Sequence, residues 1–259
     1  MSLFKSKEET YKRIPMGSVI KKLDECLELN DFDWAEKHLK YWLEEARTLN
    51  DNDGMLSVYN ELIELYRKTL NEEGIKTAND AIELVREIGL DDTITMGTAL
   101  INAAIVYKTF GQTEKALELY EKAKIIYEFY LKNDDDKLAG LYNNMAVTLI
   151  ELKKYDDAKQ LFEKALEVMK NTGQGEIEMA ITYCNLADLH AADKGTEEGE
   201  KEINECLTKA EELLNNEDIE RDDYYAFVCE KCAPVFSYYG FFFTANELTK
   251  RAKEINGKV

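Results

Sequence analysis

The sequence predicts an all-α chain assembled from a repeated pair of helices. Breakers are scarce, with 2 Pro and 13 Gly in 259 residues, too few for the many turns of an all-β fold. Leu, Ala, Glu, Lys and Tyr fill long proline-free runs, a composition that favours helix. The chain also resembles itself at a displacement of about 42 residues. Ala104 falls on Ala146, Ala116 on Ala158, Tyr120 on Phe162 and Ala123 on Ala165. The last three pairs recur at i, i+4, i+7, which is one face of a helix. Small residues flanking one ring let two helices approach closely while the ring fills the gap.

Six repeats follow in order, starting near residues 16, 55, 97, 139, 180 and 226. Residues 1–15 carry no repeat signal and read as a frayed tail, so the array is expected over 16–257 as one domain. The first repeat supplies Val19, Phe32, Ala35 and Leu39, and the second Val58, Gly74, Ala78 and Ala81. The third supplies Leu100, Ala104, Tyr107, Gly111, Ala116, Tyr120 and Ala123. The fourth has Tyr142, Ala146, Leu149, Lys153, Ala158, Phe162 and Ala165 at the same places. The fifth keeps Tyr183, Ala187, His190, Lys194, Gly199, Ile203 and Cys206, and the sixth Cys229, Ala233, Phe236, Gly240, Ala245, Thr249 and Ala252. Polar segments such as Asn50-Asp-Asn-Asp-Gly54 and Asn171-Thr-Gly-Gln-Gly175 separate them. Asn, Asp and Gly tolerate turn and left-handed conformations, end one helix and cap the next.

These residues resemble the tetratricopeptide repeat, in its longer kinesin-light-chain-like subclass. The resemblance implies a right-handed superhelix, an α-solenoid of about six helix-turn-helix repeats, each burying its neighbour's apolar stripe. It also implies a concave groove lined by positions 2, 5, 6, 9, 12 and 13 of each first helix.

Charge narrows the partners. With 33 Lys+Arg against 52 Asp+Glu the net charge is −19, which disfavours nucleic acid and anionic membranes. No apolar run approaches a membrane span, and the first ten residues contain no apolar signal core. Five cysteines, an odd and low count, suit reduced thiols and a cytoplasmic location.

Nothing in the chain spells out catalysis, a cofactor or a metal. Cys229-Glu-Lys-Cys232 is a CxxC without a second pair, and both cysteines fall on packing positions, where a free thiol behaves as a small hydrophobe. His190 sits at an aromatic packing position with no nucleophile motif beside it. Asp51-Asn-Asp-Gly54 lacks the remaining ligands of a calcium loop, since Leu49 and Asn60 stand at the flanking positions. We therefore expect a non-enzymatic binding protein.

The sharpest functional pattern is a column. Position 6 is Asn60, Asn102, Asn144 and Asn185 in the four middle repeats, and Lys231 in the last. With 17 Asn in the chain, four in one column is roughly a 1-in-1,000 coincidence after allowing for the columns searched. Asn is a poor helix-interior residue, so something offsets its cost. An amide pairs with a peptide N–H and C=O together, and the resemblance places this column in the groove. Asn143, Tyr59, Tyr66, Arg67 and Lys108 are expected beside it. The expected partner is a peptide or protein segment. Tying one repeat to the next would use the same amides. Two rival functions remain. One is a signalling-peptide sensor similar to bacterial pheromone receptors but with only 15 residues ahead of the repeats, too few for a DNA-binding domain. The other is self-assembly, with two copies pairing through the aromatic last repeat, which holds Phe236, Tyr238, Tyr239, Phe241, Phe242 and Phe243.

Overall fold

The computed structural model describes residues 13–172 and 175–257. Among these are twelve α-helices and no strand. They are α1 (Met16–Glu28), α2 (Phe32–Leu49), α3 (Asn52–Lys68), α4 (Glu73–Glu87), α5 (Ile94–Thr109) and α6 (Thr113–Tyr130). The rest are α7 (Asp136–Glu151), α8 (Tyr155–Met169), α9 (Gly175–Lys194), α10 (Glu200–Leu214), α11 (Asp223–Tyr238) and α12 (Phe242–Ile255). Each expected repeat supplies one odd-numbered and one even-numbered helix. Residues 1–12 of the expected tail lie outside the described residues. Ile14 does not fray: it is buried, and its N–H donates to Asp51 Oδ2 at 2.9 Å.

The chain divides between Ile126 and Tyr127 into two compact bodies. In the first, α2 packs on α1 and α3, α4 packs on α3 and α5, and the first helices α3 and α5 touch. In the second, α7 pairs with α8, α9 with α10 and α11 with α12, while α9 lies against α7, α8 and α11.

The repeat residues form the cores. In the first body Ala104, Ala116, Ala123 and Tyr120 are buried, and in the second Ala146, Ala158, Ala165 and Phe162 are buried at the same register. Burying such a ring contributes roughly 1.5–3 kcal/mol. The absent side-chain volume at the alanines lets the helices close on it.

One conformational device recurs in all six repeats. The residue that ends the first helix's turn is left-handed: Asn30, Leu70, Gly111, Lys153, Gly195 and Gly240 have φ between 52° and 86°. The following N–H then reaches back to a helical carbonyl, as in Gln112 N to Tyr107 O and Lys154 N to Leu149 O, both 2.9 Å, which closes the helix C-terminus. Asp31, Asp51, Asp135 and Asp222 cap α2, α3, α7 and α11 by accepting main-chain N–H bonds.

The fifth repeat departs from the expected register. Its turn residue is Gly195 rather than Lys194, because α9 runs 20 residues. The added loop brings Gly199 against α9, where a Cβ would come within 3.0 Å of the His190 carbonyl oxygen. Glycine is required there by close approach.

Candidate functional site

In the first body, Asn60 is exposed and Asn102 half-buried. Asn102 Nδ2 donates to Asn60 Oδ1 at 2.9 Å across one whole repeat. The remaining donors and lone pairs of these amides leave capacity for another polar partner. Tyr59 and Tyr66 are buried, at 7% and 2% exposure. The Tyr59 hydroxyl lies 3.5 Å from Arg47 Nη2, and the Tyr66 hydroxyl donates to Glu36 Oε1 at 2.8 Å. Both rings thus pack between helices rather than line an open face. Arg67 is held on its own helix by Glu64, and Lys108 is half-buried on α5.

In the second body Asn144 and Asn185 are half-exposed at the same register on α7 and α9. Asn143 points into the neighbouring repeat. Its Nδ2 donates to Thr182 Oγ1 at 2.9 Å, Thr182 in turn reaches Met169 Sδ at 3.5 Å, and Asn143 Oδ1 is buried without a hydrogen-bond partner. Lys231 is exposed, with its ammonium 5.2 Å from the centre of the Phe227 ring, which stacks on Tyr224. The structure therefore brings Asn60 to Asn102 in one body, and sets Asn144, Asn185 and Lys231 on successive first helices of the other.

Cys184 stands at position 5 of the fifth repeat, one of the positions the family resemblance places in the groove, yet it is 2% exposed and its thiol meets that of Cys232. Cys229 and Cys232 are fully buried. Burial pushes the thiols of Cys206, to about 11, and Cys229 up, which makes them poor nucleophiles. Burial likewise pushes His190 below its ordinary range. Among the described residues no group of three His, Cys, Asp or Glu side chains has the geometry to hold a metal ion.

Sequence reasoning missed a second polar system, in which tyrosine hydroxyls donate to carboxylates. Besides Tyr66 and Glu36, Tyr142 reaches Glu128 at 3.0 Å, Tyr224 meets Glu178, and Tyr239 reaches Asp188 Oδ1 at 2.8 Å. Burial, then the carboxylate bond, pushes Tyr66 and Tyr142 up to about 12. Burial also raises Glu178 and Asp188, against the lowering effect of the tyrosine bonds. The partners stand 30, 14, 46 and 51 residues apart. No spacing rule could have found them.

Among the described residues no helix is long and apolar enough to cross a membrane. The tetratricopeptide repeat family model matches residues 54–128, 95–171 and 137–212. A clustered mitochondria protein homolog from Aspergillus niger is 30% identical over 141 residues, covering 53% of this chain and 11% of that protein. The chain thus spans about a tenth of the length of such curated relatives. Among solved structures, BtubC (BKLC) from P. vanneervenii superposes with a TM-score of 0.62 at 22% identity, over 87% of this chain and 91% of that one. NprR in complex with its cognate peptide NprX superposes with a TM-score of 0.55 at 14% identity, over 92% and 66%. Both show the same all-α repeat fold.

Proposed function

This chain belongs to the tetratricopeptide repeat family, and from that premise we propose that it is a non-catalytic binding protein for a peptide or protein segment, held by amides on its first helices. The observation that carries this reading is the asparagine column. Its side chains stay accessible while Ala103, Ala104, Met145, Ala146, Leu186 and Ala187 beside them are buried. An accessible amide in a helix interior costs helix propensity and gains nothing from packing; Asn60 and Asn102 partner each other, and an external polar partner accounts for Asn144 and Asn185. Binding of the cognate peptide by NprR on the same fold supports the reading.

Panning a phage-displayed random heptapeptide library on the full chain tests it. Recovered peptides should bind Asn144→Ala/Asn185→Ala about 5- to 150-fold more weakly, since each lost amide bond is worth roughly 0.5–1.5 kcal/mol. The melting midpoint should stay unchanged. Peptides indifferent to the double variant would overturn the assignment, as would a large loss of stability at constant affinity.

One observation favours a second reading, self-assembly through the last repeat: Tyr238, Phe242 and Phe243 are 75%, 64% and 81% exposed. Sedimentation that stays monomeric at high protein concentration eliminates it.

A further inference from the structure

The cavity of about 490 Å³ between the C-terminal halves of α9 and α11 has a chemical character distinct from the asparagine column. Its floor is apolar and low, made by Ala191, Ala192 and Pro234. Pro234, inside α11, offers an apolar ring at that wall. On one side stands the exposed ring of Tyr238, set edge to face against Tyr239 with centroids 4.9 Å apart. On the other is Asp188, the one charged group lining the cavity.

Asp188 is fixed at one oxygen and open to solvent at the other. The Tyr239 hydroxyl donates to Oδ1 at 2.8 Å across α9 and α11 and sets the carboxylate's orientation. Among the described residues Oδ2 has no hydrogen-bond partner, and no Lys or Arg pairs with this carboxylate. The side chain keeps an open edge toward the cavity, while the helices around it strip away enough water to raise its pKa. A carboxylate oriented through one oxygen, with the lone pairs of the other accessible, is an acceptor that a cation can reach. The flanking cavity across Tyr238 and Tyr239 adds Glu197 and Glu200, and the chain as a whole carries −19. Both draw positive charge toward this end of the body.

We propose that this cavity is a specificity pocket for an arginine side chain of the bound peptide. A guanidinium places two N–H groups on one carboxylate and lays its flat face on an aromatic ring. Asp188 and Tyr238 supply those two partners from adjacent helices. The aliphatic stem then covers Ala191, Ala192 and Pro234. The inference rests on the peptide-binding reading for its biological ligand, but the pocket can be probed alone.

The probe is N-acetyl-arginine methylamide, titrated into the isotope-labelled full chain, with the citrulline analogue as the neutral isostere and the lysine analogue as the other cation. The ring signals of Tyr238 and Tyr239 and the methyl signals of Ala191 and Ala192 should shift with arginine. The shift should be about tenfold weaker in apparent affinity with lysine and absent with citrulline. Asp188→Asn preserves the shape and an acceptor for Tyr239, and should abolish the arginine response while the spectrum stays folded. Tyr238→Ala should weaken it severalfold. Equal shifts from citrulline, shifts confined to other surfaces, or an unaltered response in Asp188→Asn would overturn the proposal. Such a failure leaves the Asn144/Asn185 test untouched. A failure of that test leaves this pocket's response intact.

Discussion

Asn102 hands an amide hydrogen to Asn60 at 2.9 Å, joining the same register position of two successive repeats. The bond lies at an accessible face, so either amide can exchange it for water. A double-mutant cycle on Asn60→Ala and Asn102→Ala should give a coupling of roughly 0.5–1.5 kcal/mol in denaturant unfolding, the net worth of one hydrogen bond. Each single change should be mild, because the stranded partner rehydrates and alanine is the better helix former. A coupling near zero would mean that the bond does not hold the repeats together in solution.

The alanines at the helix contacts present the opposite case. Ala104 and Ala146 are fully buried. Placed at these fully buried positions, the guanidinium of Ala104→Arg or Ala146→Arg should cost several kcal/mol, enough to unfold the body that holds it. Circular dichroism melts indistinguishable from the parent would contradict the packing register.

How much of this was legible follows from range. Ala116, Tyr120 and Ala123 were readable because helix periodicity places them on one face and the 42-residue echo repeats them. The left-handed turn was legible at Gly111 and Gly240, where glycine announces it, but not at Leu70, which adopts φ 52° against its residue type. Tyr59 and Tyr66 were expected on an open face. Their hydroxyls instead find Arg47 and Glu36 on a neighbouring helix, so the rings turn inward and keep only their polar tips satisfied. Cys184 was misplaced for a related reason: the register names a face, but how deeply α9 and α11 settle together decides exposure. The tyrosine–carboxylate bonds join residues without a common spacing, and only the three-dimensional fold brings them together.

Leu70 and Lys153 hold positive φ at 52° and 59°, a conformation that costs an L-residue roughly 1–2 kcal/mol. Glycine adopts it freely but loses more backbone entropy on folding. Leu70→Gly and Lys153→Gly should therefore raise stability by up to about 1 kcal/mol each, and Leu70→Gly also removes an exposed apolar side chain. Calorimetry should show higher melting midpoints for both. A lower midpoint for either would mean that its side chain makes a contact worth more than the strain.

Buried thiols should be silent. Cys184, Cys206, Cys229 and Cys232 are each at most 8% exposed, as is Cys26. Burial raises the pKa of Cys206 and Cys229 further from neutrality. Ellman's reagent at pH 8 should therefore label these five slowly in the native chain and rapidly in guanidinium. Prompt labelling of Cys229 or Cys232 without denaturant would show that α11 opens locally.

Alkaline pH should loosen the tyrosine–carboxylate system in a defined direction. Tyr66 and Tyr142 rise to about 12 through burial first and the Glu36 and Glu128 bonds second, whereas the unfolded phenol titrates near 10. The folded state therefore holds these protons more tightly than the unfolded state. Their contribution to stability is whole below pH ~10 and is lost as pH rises from ~10 toward ~12. Absorbance at 295 nm should show the two rings ionising after the exposed tyrosines, and Tyr66→Phe or Tyr142→Phe should remove part of that late phase. Neither variant strands a charge in the core. Glu36 keeps its ion pair with Lys40 at 2.6 Å, and Glu128 is exposed to water. Stability at pH 7 should accordingly change little, while the alkaline fall in stability becomes shallower. Late-phase ionisation that persists undiminished in both variants would place the perturbed phenols elsewhere and remove these two bonds from the account of alkaline unfolding.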